Sequence, residues 1–199
     1  FMDWGWRLPF IASIVLIGIS MYVQLRLEDT EAFKALQESQ DGEASDQPIA
    51  ASPVVEAIRK YPKRIMLAAG AFLSVQVTFY ILIAFIIAYG VTAPELALSR
   101  DTMLTAVLIA AAIMVPSQFY FSGLSDRVGR KQIYRWGAIL TGLWGFALFP
   151  LINTGEPLMI VIAVTLGLTF LGMQYGPQAA YFTELFTTEV RYSGASLGY

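Results

Sequence analysis

The 199-residue sequence contains neither cysteine nor histidine. Without cysteine there is no disulfide framework and no thiolate chemistry, and without histidine the imidazole metal sites go as well. No metal and no cofactor are expected. Charge is also scarce: 14% of residues are charged, against about 25% in a soluble domain whose surface must meet water. The net charge of −2 gives no sign of nucleic acid. No basic stripe with interleaved aromatics exists, so no nucleic-acid partner is expected.

What remains is apolar. Hydrophobic residues make up 56% of the chain, and the mean hydropathy is +0.59. The few charges are clustered, leaving residues 8–25, 65–94, 102–125, 136–155 and 158–183 free of Asp, Glu, Lys and Arg. Each run reaches or approaches the ~20 residues that carry a helix across hydrocarbon. Lipid offers no partner to the backbone, so such runs must be helical. A barrel would show alternating polarity over ~10-residue segments, which is absent here. The fold class is therefore an all-α integral membrane protein with five transmembrane helices. The first run is short enough to be taken for a signal sequence. However, Asp3 precedes it, Arg7 is its only base, and no small-residue cleavage site ends it, so it reads as a span. The chain begins at Phe1 and stops at Tyr199, just as the small-residue run 193–198 opens another segment. Five spans are expected to be a window on a longer protein.

Orientation follows from the bases, which gather on the cytoplasmic side. Arg26, Lys34, Arg59, Lys60, Lys63 and Arg64 lie between the first and second spans. Arg127, Arg130, Lys131 and Arg135 lie between the third and fourth. Of the alternate loops, the one around residues 95–101 holds only Arg100 as a base, and Glu156 stands alone between the last two spans. The first span thus enters from outside, and the chain ends inside. The polar segment 28–64 is a cytoplasmic linker. Asp29 or Thr30 would cap a first helix bearing Phe33 and Leu36. Residues 39–51 are loose, acidic and rich in small residues. Ser52-Pro53 reads as cap plus first helical residue. Val54, Val55, Ile58 and Tyr61 would then form an apolar stripe beside Arg59, Lys60, Lys63 and Arg64. That pattern suits a short basic amphipathic helix on the inner membrane surface.

The most specific motif is GLSDRVGRK at residues 123–131. Glycines permit a tight turn, and Asp126 can meet the positive end of a helix. The motif resembles the cytoplasmic signature of the major facilitator superfamily, which recurs in both halves of its twelve-helix transporters. Ser122 stands where the signature usually has glycine, with Gly123 one step later. GWRLPF at residues 5–10 and ELFTTEVRYSGAS at residues 184–196 are similar to the metabolite:proton symporter branch. This resemblance implies three parts: residues 1–27 as the last helix of the N-terminal half, 28–64 as the inter-half linker, and 65–199 as a truncated C-terminal half. The second span looks more like organic-acid members of the branch.

Polar groups inside the spans are sparse. Gln174, Gln178 and Tyr181 share a face at i, i+4 and i+7, as do Gln76 and Tyr80 at i and i+4. Gly172 and Gly176 lie four apart, and Pro177 interrupts the backbone bonding nearby. Interrupted helices near the midplane are where transporters bind substrate. Gln76, Tyr80, Gln174, Tyr175 and Gln178 are the candidate substrate-binding residues. The competing reading is inter-helix hydrogen bonding and close packing. Trp4, Trp6 and Trp136 suit the membrane interface. Asp126, Arg127, Arg130, Glu184 and Arg191 are candidate gating residues that would lock the cytoplasmic side. Glu184 and Arg191, two turns apart on one helix face, would pair with the signature loop rather than with each other. No span interior holds a carboxylate or a base, so proton coupling would rest on the other half. No nucleophile–base pair appears in any span, so no enzyme is expected. The resemblance implies a secondary transporter of a small metabolite, organic acids included, by proton symport. Its partners would be the metabolite, the proton, the lipid bilayer and the N-terminal half of the same chain. It would sit as a multi-pass protein in a bacterial plasma (inner) membrane. The alternative is a membrane-embedded sensor or scaffold that keeps the fold.

Overall fold

A computed structural model describes residues 4–26, 53–187 and 190–199. The expected cap at Asp29 or Thr30, the loose stretch 39–51, and residues 188 and 189 lie outside the described residues. The chain divides into two units, residues 1–49 and 50–199. In the first unit a short 3-10 turn leads into α1 (Leu8–Arg26). Bases over aromatic rings mark both ends of this helix. The Arg7 guanidinium lies 4.5 Å from the Trp6 centroid, and that of Arg26 lies 5.6 Å from the Tyr22 centroid. Amphipathic rings and bases favour the membrane–water boundary.

The second unit contains α2 (Pro53–Lys60), α3 (Pro62–Thr92), α4 (Arg100–Val128), α5 (Arg130–Ile152), α6 (Pro157–Glu184) and α7 (Arg191–Gly198). Helices α1, α3, α4, α5 and α6 are long and apolar enough to cross a membrane. No strand occurs among the described residues. The all-α, five-span architecture expected from the sequence is the one observed.

The helix ends differ from the apolar runs in an instructive way. Residues 126–135 read as a basic loop, yet α4 and α5 meet across the single residue Gly129. Its φ of +108° is one that L side chains rarely adopt. Arg130, Lys131 and Arg135 therefore stand in the first turns of α5. Hydrophobic runs mark the hydrocarbon thickness, whereas a helix continues into the headgroup region, where charge is welcome. Glu184 and Arg191 are also not on one helix face. Helix α6 ends at Glu184 and α7 begins at Arg191. Between them, Leu185 and Phe186 N–H groups reach back three residues to the Phe182 and Thr183 carbonyls, tightening the last turn.

Helix α6 is central. Half of its most apolar stretch is buried, against 17% in each of α3, α4 and α5. Glycines set its spacing to all three neighbours. A Cβ on Gly176 would lie 2.9 Å from the Gln118 carbonyl oxygen of α4. One on Gly137 of α5 would lie 2.8 Å from Gln174 Cγ, and one on Gly167 would meet Leu82 of α3 at 2.8 Å. Small residues let backbones approach closely where no hydrophobic force drives helices together. Large apolar side chains such as Leu67, Phe119 and Phe146 point away from this core, as a lipid-facing surface requires. Helix α3 is not a regular α-helix throughout. Residues 81–85 form a π-turn, in which the Ile86 N–H reaches back five residues to the Ile81 carbonyl.

A second, smaller core joins α2 to the end of α6 and to α7 through Ala57, Phe186, Val190 and Ala195. The amphipathic helix expected at Pro53 is therefore present. Its anchoring residue, however, is the fully buried Ala57, while Val54, Val55 and Ile58 stay exposed.

Candidate functional site

One end of the second unit gathers the start of α3, the α4–α5 joint and the end of α6. Gly129 turns the chain so that Arg130 faces back onto α4. Its Nε and Nη2 donate to Asp126 Oδ1 at 3.2 and 3.0 Å, and its Nη1 donates to Glu184 Oε1. A single guanidinium thus ties the ends of α4, α5 and α6 together. The Asp126 and Glu184 side chains are 59% and 55% exposed. Water therefore screens these pairs to about 0.2–1 kcal/mol each. Both Arg130 contacts fall on Oδ1, and Asp126 Oδ2 accepts no hydrogen bond among the described residues.

The other two gating candidates stand apart. Arg127 borders a shallow hollow with Phe119, Tyr120, Gly123 and Leu124. Arg191 is exposed at the first residue of α7. A second tie at this end escaped the sequence reading. Arg64 Nη1 donates to the Leu185 carbonyl at 2.6 Å and lies over the Tyr61 ring at 5.0 Å. Tyr61 in turn meets Phe186 edge-on at 5.9 Å and donates to Thr187 Oγ1 at 3.4 Å. The sequence places Arg64 among the topology-setting bases and beside the apolar stripe that includes Tyr61; its i, i+3 spacing from Tyr61 is the available signal. At the opposite end the Tyr89 hydroxyl donates to Asn153 Oδ1 at 2.8 Å.

Two cavities flank α6 between these ends. The first, about 350 Å³, lies among α3, α5 and α6 and is lined by Ser74, Thr78, Thr141, Trp144 and Gln174. Every one of these polar side chains is already engaged. Ser74 and Thr78 donate to carbonyls one turn back. Trp144 donates to the Ala163 carbonyl at 2.9 Å, and Gln174 Nε2 donates to Thr141 Oγ1 at 2.9 Å. The second cavity, about 260 Å³, lies among α3, α4 and α6 and is lined by Gln76, Phe79, Met114, Gln118 and Tyr175. Its polar side chains make no hydrogen bond to any described residue.

The five candidate binding residues therefore do not form one group. Gln174, 3% exposed, belongs to the first cavity. Gln76 and Tyr175 belong to the second. Tyr80 is largely exposed and shares an apolar groove along α3 with Gln76, Leu73 and Phe85. Gln178 is fully buried, lines neither cavity, and has no partner for either amide atom among the described residues. Its helical neighbour Tyr181 packs on Tyr134 of α5 at 5.4 Å. Gln118 was missed, although it is the lone carboxamide in the third apolar run.

The whole chain, residues 1–199, matches the family model described as Major Facilitator Superfamily. It is 33% identical to the inner membrane metabolite transport protein YhjE of Escherichia coli K12, covering 100% of this chain and 44% of that protein. A Haemophilus influenzae protein named for metabolite transport is 32% identical over 100% of this chain and 46% of its own length. The shikimate transporter of Escherichia coli K12 is 30% identical over 100% of this chain and 44% of its own length. The chain thus spans less than half the length of these curated relatives. No solved structure matches it.

Proposed function

This chain belongs to the major facilitator superfamily, and from that premise we propose that it supplies most of one half of a secondary transporter for a small metabolite in a bacterial inner membrane. The observation that carries the reading is the Arg130 tie among the ends of α4, α5 and α6. It joins the ends of three spans, in keeping with a half that rocks as a unit in alternating access. The relatives' names, which include metabolite and shikimate transport, support the same class.

In this reading the tie acts within the half and holds Asp126 in place. Oδ2 of Asp126 is the atom left to meet a helix end or base of the partner half while the cytoplasmic side is closed. Arg127 and Arg191, exposed at the same end, are the further contacts across that gap. The partner half supplies the proton-coupling groups, since the span interiors here hold no carboxylate or base. Organic acids are the proposed substrate class, carried together with a proton.

Uptake by the full-length protein in proteoliposomes tests this. Shikimate and other carboxylates should enter saturably, faster with an inward proton gradient and slower when the gradient is collapsed. Absence of uptake for every carboxylate, with the protein inserted and folded, would remove the reading. Uptake indifferent to the gradient would remove only the symport.

A further inference from the structure

The two cavities beside α6 differ in a way that assigns them different work. In the first, Ser74, Thr78, Thr141, Trp144 and Gln174 all hold hydrogen bonds inside the protein. A polar group so engaged has little to offer a solute. In the second, Gln76 from α3, Gln118 from α4 and Tyr175 from α6 converge with no described partner. Three separate helices bring them there, and the close contacts of α6 fix the arrangement. A Cβ on Gly172 would lie 3.5 Å from Gln118 Cγ, and Gly176 sits against the Gln118 carbonyl. The side chain of Gln118 is thus held between α4 and the glycine edge of α6, beside Tyr175.

We infer that Gln118, with Gln76 and Tyr175, forms a subsite for the hydroxyl groups of a hydroxylated carboxylate. This inference rests on the transporter reading and deepens it. The chemistry of the lining selects the class. A carboxamide offers a donor and an acceptor side by side, and a phenol offers both on one atom. A hydroxyl group uses both functions, whereas a carboxylate oxygen uses donors only. No charged side chain lines this cavity, so the solute's own charge is met elsewhere in the full-length protein. Phe79 and Met114 supply an apolar floor for a carbon ring. A quaternary ammonium solute with methyl groups in place of hydroxyls would leave the two carboxamides unmatched. Sites that hydrogen-bond a substrate hydroxyl discriminate strongly against the analogue that lacks it.

The test compares shikimate with cyclohex-1-ene-1-carboxylate, the same acid ring without hydroxyls. Both are titrated into purified full-length protein in detergent, with binding read by calorimetry. The parent should hold shikimate at least ~10-fold more tightly, the effect of one to two good hydrogen bonds. Gln118→Leu and, independently, Gln76→Leu should cut that ratio to about 3 or less, leaving the affinity for the unhydroxylated ring within about twofold. Gln118→Asn, which keeps the chemistry at shorter reach, should retain part of the preference. Gln76→Leu, on a different helix, keeps the test decisive if the Gln118 variants aggregate on size-exclusion. Equal binding of the two acids by the parent, binding of neither, or a ratio unchanged in both leucine variants would overturn the subsite. Vesicle uptake of betaine and proline alongside separates the two claims. Saturable uptake of either solute by a protein without hydroxyl preference removes the subsite and keeps the transporter. Hydroxyl-selective binding without uptake of any solute does the reverse.

Discussion

In the proposed transporter, the Arg130 tie would act with little energy. Its pairs with Asp126 and Glu184 are solvent-exposed, so each contributes no more than about 1 kcal/mol to folding. A carrier whose two states are nearly balanced responds to the same small energies, since about 1.4 kcal/mol shifts an equilibrium tenfold. Asp126→Asn in the full-length protein should therefore insert and bind solute normally, yet transport several-fold more slowly and favour the inward-open state. Alkylation of a cysteine placed in the cytoplasmic mouth would report the shift. An unchanged rate and unchanged accessibility would reduce Asp126 to a loop residue. Gln174 presents the opposite case, a buried polar group satisfied inside the protein. Thr141→Val strips its partner and should lower thermal stability by about 0.5–2 kcal/mol while leaving the apparent transport constant within about twofold. A large rise in that constant at unchanged stability would place Gln174 among the solute contacts instead.

Between elements, the glycines of α6 decide the geometry. Gly176→Val would drive a branched side chain into the Gln118 backbone. It should sharply reduce the yield of folded protein, with an overpacking cost of about 1–3 kcal/mol. Gly123→Ala meets nothing within 4 Å and should be neutral, as melting curves of the two variants would show. This level was partly legible in the sequence. The spacing of Gly172 and Gly176 announced a close approach but not which helix would make it. The length of each span was readable from its run of uncharged residues. Its ends were not, because Gly129 alone separates α4 from α5 and their end turns are charged. The grip of α2 was also hidden. An alanine in an amphipathic repeat carries no signal, although Ala57 is the residue that fits among Phe186, Val190 and Ala195. Gln174 and Gln178 look equivalent at i and i+4, and only the fold shows that one has Thr141 opposite and the other no described partner.

At the scale of the whole molecule, the charge distribution predicts which end faces the cytoplasm. Glu156→Cys, in a full-length background freed of any other cysteine, should react with a membrane-impermeant maleimide added outside intact cells. Lys131→Cys should react only after permeabilisation. The reverse pattern would invert the proposed topology and place the Arg130 tie on the outer side. This orientation rests on the sequence alone, where bases cluster at one set of span ends. It carried no hint of the π-turn in α3, where residues 81–85 are an unremarkable apolar run with no proline or glycine. Yet that turn sets how the molecule tolerates a change in chain length. Deleting one residue from an ordinary helix swings everything beyond it by about 100°. In α3 such a swing would carry Tyr89 away from Asn153. A deletion within residues 81–85 instead relaxes the wide turn to a normal one, and the outer segment keeps its phase. The span thus holds a built-in spare residue, a place where a loss can be absorbed without rewiring the face it presents.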